Sequence, residues 1–145
     1  MRFVPAVPAN AGTWWQVSVS EDLPEVLDSN TTIDGAAYSL FNGTSLRDEN
    51  PGWLGTGGLV GVDGLALPTL NRPEFEILDV DNRNIGLDVQ ANNATLRRLA
   101  ISGFGDAQNN DGEANIRVGA FNGTLIEACV IGASAGSFTA PAEVD

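Results

Sequence analysis

The sequence predicts an all-β solenoid, and three observations carry the prediction. Residues 87–101 recur at 116–130, an offset of about 29 residues. Within each copy apolar and polar residues alternate at period two, the signature of strands that bury one face. The composition, with 17 Gly and abundant Asn, Asp, Thr and Ser, supplies turns rather than helices.

The repeat sets the expected packing. Leu87 aligns with Ile116, Val89 with Val118, Leu96 with Leu125, Leu99 with Ala128 and Ile101 with Val130. Asn93 aligns with Asn122, and Thr95 with Thr124. A partial third copy places Asn30, Thr32 and Ile33 in the slots of Asn93, Thr95 and Leu96. Each copy holds two short strands around an Asn-rich corner. Asn tolerates left-handed backbone there, so Asn93 and Asn122 are expected to form a hydrogen-bonded ladder. One coil cannot bury its apolar face alone, so inward residues of neighbouring coils complete the core. Leu96-Arg97-Arg98-Leu99-Ala100-Ile101 also fits a leucine-rich repeat. That reading loses ground because Ser102-Gly103-Phe104 replaces the expected Asn. The return segment 105–115 is also too rich in Gly and Asn for a helix.

The series Thr32-Ile33-Asp34-Gly35, Phe75–Asp79, Ile85–Val89 and 94–104 resembles the opening coils of bacterial right-handed parallel β-helix domains. These domains, of the pectate-lyase-like superfold, occur in surface and secreted proteins. The resemblance runs over residues 23–132. It implies a short right-handed parallel β-helix of about three coils, with an N-terminal cap and a long inserted loop. The family includes adhesins, phage tailspikes, polysaccharide lyases and hydrolases, so the fold does not fix the activity. No catalytic residue carries over.

Along the chain, residues 1–22 read as an extended segment and cap, with residues 14–19 alternating as a first strand or cap. Residues 23–133 form the β-helix domain, interrupted by an insertion over about 38–73. An excursion of that length is expected to be functional or to pack as a cap. Residues 134–145 form a C-terminal tail.

Seven Lys and Arg against 19 acidic residues give a net charge of −12. That argues against nucleic acid as a partner, because phosphate binding needs clustered cations. No segment reaches the roughly 20 apolar residues that span a bilayer, so membrane insertion is not expected. With one Cys and no His, the chain has no internal disulfide and no His-based metal or triad site. The first residues lack a signal peptide's apolar stretch, so the expectation is that a signal has been removed, that Met1 was added to a fragment, or that export takes another route.

Candidate sites are few. Asp79 and Asp81, at i and i+2, are weak calcium candidates if the strand extends through both. Asp111 and Glu113 join them, from an Asn-Asn-Asp-Gly-Glu stretch that lacks the full calcium-loop pattern. Neither set outweighs a plain turn or surface loop, so no cofactor is expected. Four N-x-[ST] sequons mark Asn30, Asn42, Asn93 and Asn122 as glycosylation candidates. Three fall at the repeated corner, which leaves Asn42 as the best of them. Cys129 aligns with Ala100 on the expected outward face, as a passive small residue. Trp14, Trp15, Tyr38, Phe41 and Trp53 are expected to cover the open end of the core rather than form a sugar platform.

The function these features favour is a structural subunit of an extracellular filament or cell-surface layer. Coil ends expose strand edges that invite pairing. Head-to-tail contact between copies yields a fibre. Phe3, Val4, Val7 and Phe138 are the apolar tail residues expected to dock on a neighbour. The alternatives are a polysaccharide-binding or adhesin module, or a fragment of a polysaccharide lyase or hydrolase. The reading leans away from an enzyme.

Overall fold

A computed structural model describes residues 1–55, 69–105 and 112–137, and the backbone of strands Leu59–Val60 and Leu65–Ala66. Among the described residues there are strands and no helix. In chain order the first are β1 (Arg2–Phe3), β2 (Trp15–Val19) and β3 (Thr32–Ala37). Four short strands follow: β4 (Trp53–Leu54), β5 (Leu59–Val60), β6 (Leu65–Ala66) and β7 (Leu70–Asn71). Then come β8 (Phe75–Asp79), β9 (Ile85–Val89), β10 (Thr95–Arg97) and β11 (Leu99–Ser102). The last are β12 (Ala114–Val118), β13 (Leu125–Glu127) and β14 (Val130–Ile131).

Three parallel sheets hold the longer strands. Sheet A orders β1-β3-β10-β13, and sheet B orders β2-β8-β11-β14. Sheet C pairs β9 with β12 and is extended by a parallel bridge from Val26 to Val89. The chain passes through A, then B, then C, and returns to A each time. Among the described residues only β4–β7 and β5–β6, both inside the excursion, pair as antiparallel strands. A leucine-rich repeat would need a helix on its return segment; residues 114–118 are strand β12 instead.

Register turns the alternating pattern into a core. Ile33 lies beside Leu96, and Ile77 beside Ile101. Leu87 lies beside Ile116 and Val89 beside Val118, as the repeat predicts. Val89, Leu96, Leu99 and Ile101 are fully buried among Val19, Ile77, Leu87 and Phe104. Burying each such side chain stabilises the fold by about 1.5–3 kcal/mol before entropy is counted.

Beyond Val118 the register departs from the repeat. Asn122 N–H donates to Asn92 Oδ1 at 2.9 Å, a separation of 30 residues, whereas Arg117 meets Asp88 at 29. One extra residue is taken up at Gly119-Ala120-Phe121, where Phe121 N–H bonds back to Gly119 O at 2.8 Å. Every later position moves by one, so Leu96 pairs with Ile126 rather than Leu125, and Ile101 with Ile131 rather than Val130. A one-residue slip reverses faces. Leu125 therefore points outward, and Cys129 joins the row of Leu99, packed against the core instead of outward.

The corner ladder is displaced in the same way. Asn30, Asn93 and Gly123 occupy it, all left-handed, with φ of 63°, 55° and 76°. Asn93 Nδ2 donates to Asn30 Oδ1 at 3.4 Å, so the expected Asn93–Asn122 rung is an Asn30–Asn93 rung. Gly123 suits the left-handed backbone above it, where a Cβ would lie 2.3 Å from Asn93 Oδ1 and push that side chain aside.

The excursion covers the outer face of sheet B. Leu54 and Leu70 pack with Trp14, Ala133 and Ala135 over Ala100 and Val130. Buried polar groups fix this cover. Asn50 Nδ2 donates to Pro73 O (2.7 Å) and Ala135 O (3.1 Å), and Asn50 Oδ1 accepts from Thr13 Oγ1 (2.7 Å). Glu76, nearly inaccessible, accepts from Trp14 Nε1 and from Ala135 N–H.

Candidate functional site

The outer face of sheet A carries one row of alternating charge. Arg2, Asp34, Arg97 and Glu127 occupy successive strands in register. The row follows from period two, which sends these positions outward while Ile33, Leu96 and Ile126 point in. Asp34 is buried at 4% exposure and gathers donors from several sides. Arg97 Nε and Nη2 reach its Oδ2 at 3.2 and 3.0 Å, and Arg98 Nε reaches Oδ1 at 3.0 Å. Tyr38 Oη donates to Oδ2 at 3.1 Å, and Ala36 N–H to Oδ1 at 3.1 Å. Burial pushes the Asp34 carboxyl up, but hydrogen bonds from Arg98 and Ala36, the Arg98 charge and Tyr38 outweigh it and hold the pKa below its ordinary value. Arg2 closes one end of the row, its guanidinium 5.2 Å from the Tyr38 ring centre. Glu127 stands at the other end, 3.9 Å from Arg97 Nη1.

Among the described residues nothing pairs with the far sides of β1 and β2, or of β12, β13 and β14. The apolar rows end uncovered at both edges. The row Val17, Ile77, Ile101, Ile131 is buried in the middle, with Val17 47% and Ile131 50% exposed at its ends. Ile126 and Val118 are the exposed last members of their own rows. At the opposite edge lies an apolar hollow of about 420 Å³, lined by Val17, Val19, Leu23, Val26, Ile77 and Leu87 among others. On sheet C, Arg117 pairs with Asp88, and Gln90 Nε2 donates to the same carboxylate at 2.6 Å. The Arg117 hydrogen bond holds Asp88 below its ordinary pKa against the effect of burial.

The sequence-derived candidates fall elsewhere. Strand β8 ends at Asp79, so Asp81 does not share a strand face with it. Asp79 accepts the N–H groups of Asp81 (3.0 Å) and Arg83, which closes a turn, and Asp81 pairs with Arg83 at 2.9 Å. Glu113 lies half-buried just before β12, and Asp111 lies outside the described residues. Among the described residues no three His, Cys, Asp or Glu side chains gather as a metal site.

All four sequon asparagines are exposed. Asn42 sits in a turn where its Oδ1 accepts from Thr44 and Ser45 N–H at 3.0 and 2.9 Å. Asn30 and Asn93 are the left-handed corner residues, and Asn122 is the neighbour bonded to Asn92. Among the apolar tail residues, Phe3 is docked within its own chain. It lies edge-on to Trp15 at 5.4 Å and 4.7 Å from Phe75, and β1 pairs with β3. Val4 and Val7 are exposed, and Phe138 lies outside the described residues. Trp15 and Tyr38 are buried, whereas Trp53 and Phe41 are exposed, so the aromatic set is dispersed. Cys129 Sγ contacts Glu127 O at 3.3 Å, and burial pushes its thiol pKa up.

Sequence reasoning missed the charged row because the offset was carried unchanged past Phe121. With Glu127 moved into the slot of Arg97, the sign alternation from Asp34 onward is readable. Arg2 was not, since nothing in the repeat places β1. Comparison with protein-family models, with curated proteins and with solved structures finds no match.

Proposed function

We propose that this chain is a short right-handed parallel β-helix, and that it serves as a self-assembling structural subunit of an extracellular filament or cell-surface layer. Copies stack head to tail, with β13 and β14 of one copy set against β1 and β2 of the next. The observation that carries this reading is that the rows end open at both edges with complementary character. Glu127 ends the charged row on one edge and Arg2 ends it on the other. Exposed Ile126 and Ile131 stand on the edge opposite the apolar hollow. A stacked neighbour extends Asp34, Arg97, Glu127 by another arginine, and its hollow receives the isoleucines. Unpaired parallel edges supply backbone donors and acceptors for the same contact. Translation along the stack never closes, so the product is a fibre rather than a ring.

Light scattering over a concentration series tests the reading. Arg2→Glu and Glu127→Arg each place like charges at the joint and should leave single copies. Mixed together, the two variants regain opposite charges at both kinds of joint and should co-assemble. Circular dichroism checks that each variant keeps its fold. A wild-type chain that stays monomeric at all concentrations defeats the proposal.

A further inference from the structure

The excursion meets sheets A and B along a cleft of about 340 Å³. Arg47, Arg72 and Arg98 line it, three of seven cations in a chain of net charge −12. Two of them are engaged. Arg47 pairs with Glu49 at 2.9 Å, and Arg98 pairs with Asp34. The Arg72 side chain makes no hydrogen bond or ion pair with a described residue, and its Nε is buried without a partner. It lies against Gly52, where an added Cβ would come 3.6 Å from the guanidinium carbon.

Glu74 faces the same cleft at 6% exposure. Its Oε1 accepts N–H groups of Glu49 (3.0 Å) and Asn50 (3.1 Å), while Oε2 is buried with no partner. Burial pushes the Glu74 carboxyl pKa up, helped by Asp48 and Glu49, against the two backbone hydrogen bonds. A buried polar atom without a hydrogen bond is costly, and native proteins keep few of them. Here a guanidinium and a carboxyl oxygen lack partners in one cleft, and they do not pair with each other.

We propose that this cleft binds a small hydroxylated carboxylate, with the carboxylate on Arg72 and a hydroxyl on Glu74 Oε2. A guanidinium presents a planar fork that matches a carboxylate. The second requirement, a hydroxyl, follows from the Glu74 oxygen. The nearby acids Glu74 and Asp48 disfavour a doubly charged phosphate, and Arg47 and Arg98 already pair with Glu49 and Asp34. Leu46, Pro73, Ala36 and Ala128 give the cleft an apolar wall for C–H groups. The volume sits at the small end of ligand pockets and suits a molecule the size of one sugar acid. The two side chains that carry the binding, Arg72 and Glu74, lie outside the strands with open edges, so they do not form the head-to-tail joint; of the wall residues, Ala128 stands next to that joint, between β13 and β14.

The test is an amide NMR titration of the full chain with D-glucuronate, D-glucose and inorganic phosphate, each up to about 10 mM, a range that reads weak small-ligand affinities. Glucuronate should shift resonances of residues around Arg47, Arg72 and Glu74, and glucose and phosphate should not. Arg72→Met should weaken glucuronate binding about tenfold or more, and Arg72→Lys should fall between it and wild type. Glu74→Gln keeps the Oε1 acceptor and should weaken binding less than Arg72→Met. The proposal is overturned if glucuronate shifts nothing in the cleft. It is equally overturned if glucose or phosphate binds as well, or if Arg72→Met binds unchanged while its spectrum stays folded.

Discussion

The inner rows of the sheets and the cover over the outer face of sheet B both bury apolar side chains, yet they are held by different means. Inside, Leu96, Leu99 and Ile101 stack on residues of like kind, and no polar partner is needed. Outside, Ala100 and Val130 are sealed by Leu54, Leu70, Trp14 and Ala135, and the seal depends on Asn50 and Glu76 reaching specified partners, three for Asn50 and two for Glu76. The inner arrangement is repeated and degenerate in detail. The outer one is unrepeated and specific. Their tolerance to change should differ accordingly.

The largest effect is expected inside. Leu96→Ala deletes a fully buried side chain in the middle of a row, between Ile33 and Ile126. It should cost about 2–5 kcal/mol in chemical denaturation. A loss below about 1 kcal/mol would mean that the row is not a packed core.

A smaller loss is expected in the cover. Asn50→Ala strands the carbonyls of Pro73 and Ala135 and should cost about 1–3 kcal/mol. Hydrogen exchange should rise across 50–55 and 133–137 and not in β9 to β11. Uniform loss of protection would make cover and core one cooperative unit and erase the contrast.

The smallest concerns the corner. Asn93 is left-handed at φ 55° and bonds Asn30. Asn93→Ala should cost about 1–2 kcal/mol, the price of left-handed backbone for a residue with Cβ. Asn93→Gly keeps the conformation, and its thermal midpoint should stay closer to wild type. Equal losses from both would assign the effect to the side-chain rung alone.

The same contrast explains what was legible in the sequence. Residues that stack on their own kind announce themselves, so Ile33 with Leu96 and Val89 with Val118 were readable from alternation and spacing. The all-β character with parallel strands followed from that. The cover has no second copy to compare with, so neither Asn50 nor Glu76 could be given partners. Nor could β2 be matched to β8 across the excursion. The slip after Val118 was missed because an ungapped alignment hides one added residue. Its trace was the pairing of Phe121 with Asn92, a large apolar residue opposite a polar corner. The candidate cleft was illegible for a further reason. Arg47, the Arg72-Pro73-Glu74 stretch and Arg98 come from distant parts of the chain, and the folded excursion brings them to one cleft.

The bend at Gly119-Ala120-Phe121 acts like a dislocation in a crystal: strands before and after it are each in good order, displaced by a single step. Length between strands is thus decoupled from alignment across them. A chain built this way can gain or lose residues at its bends while its stacked rows survive. Insertions as long as the one joining β3 to β8 are an extension of the same freedom, and new surface features can arise there without redesign of the interior.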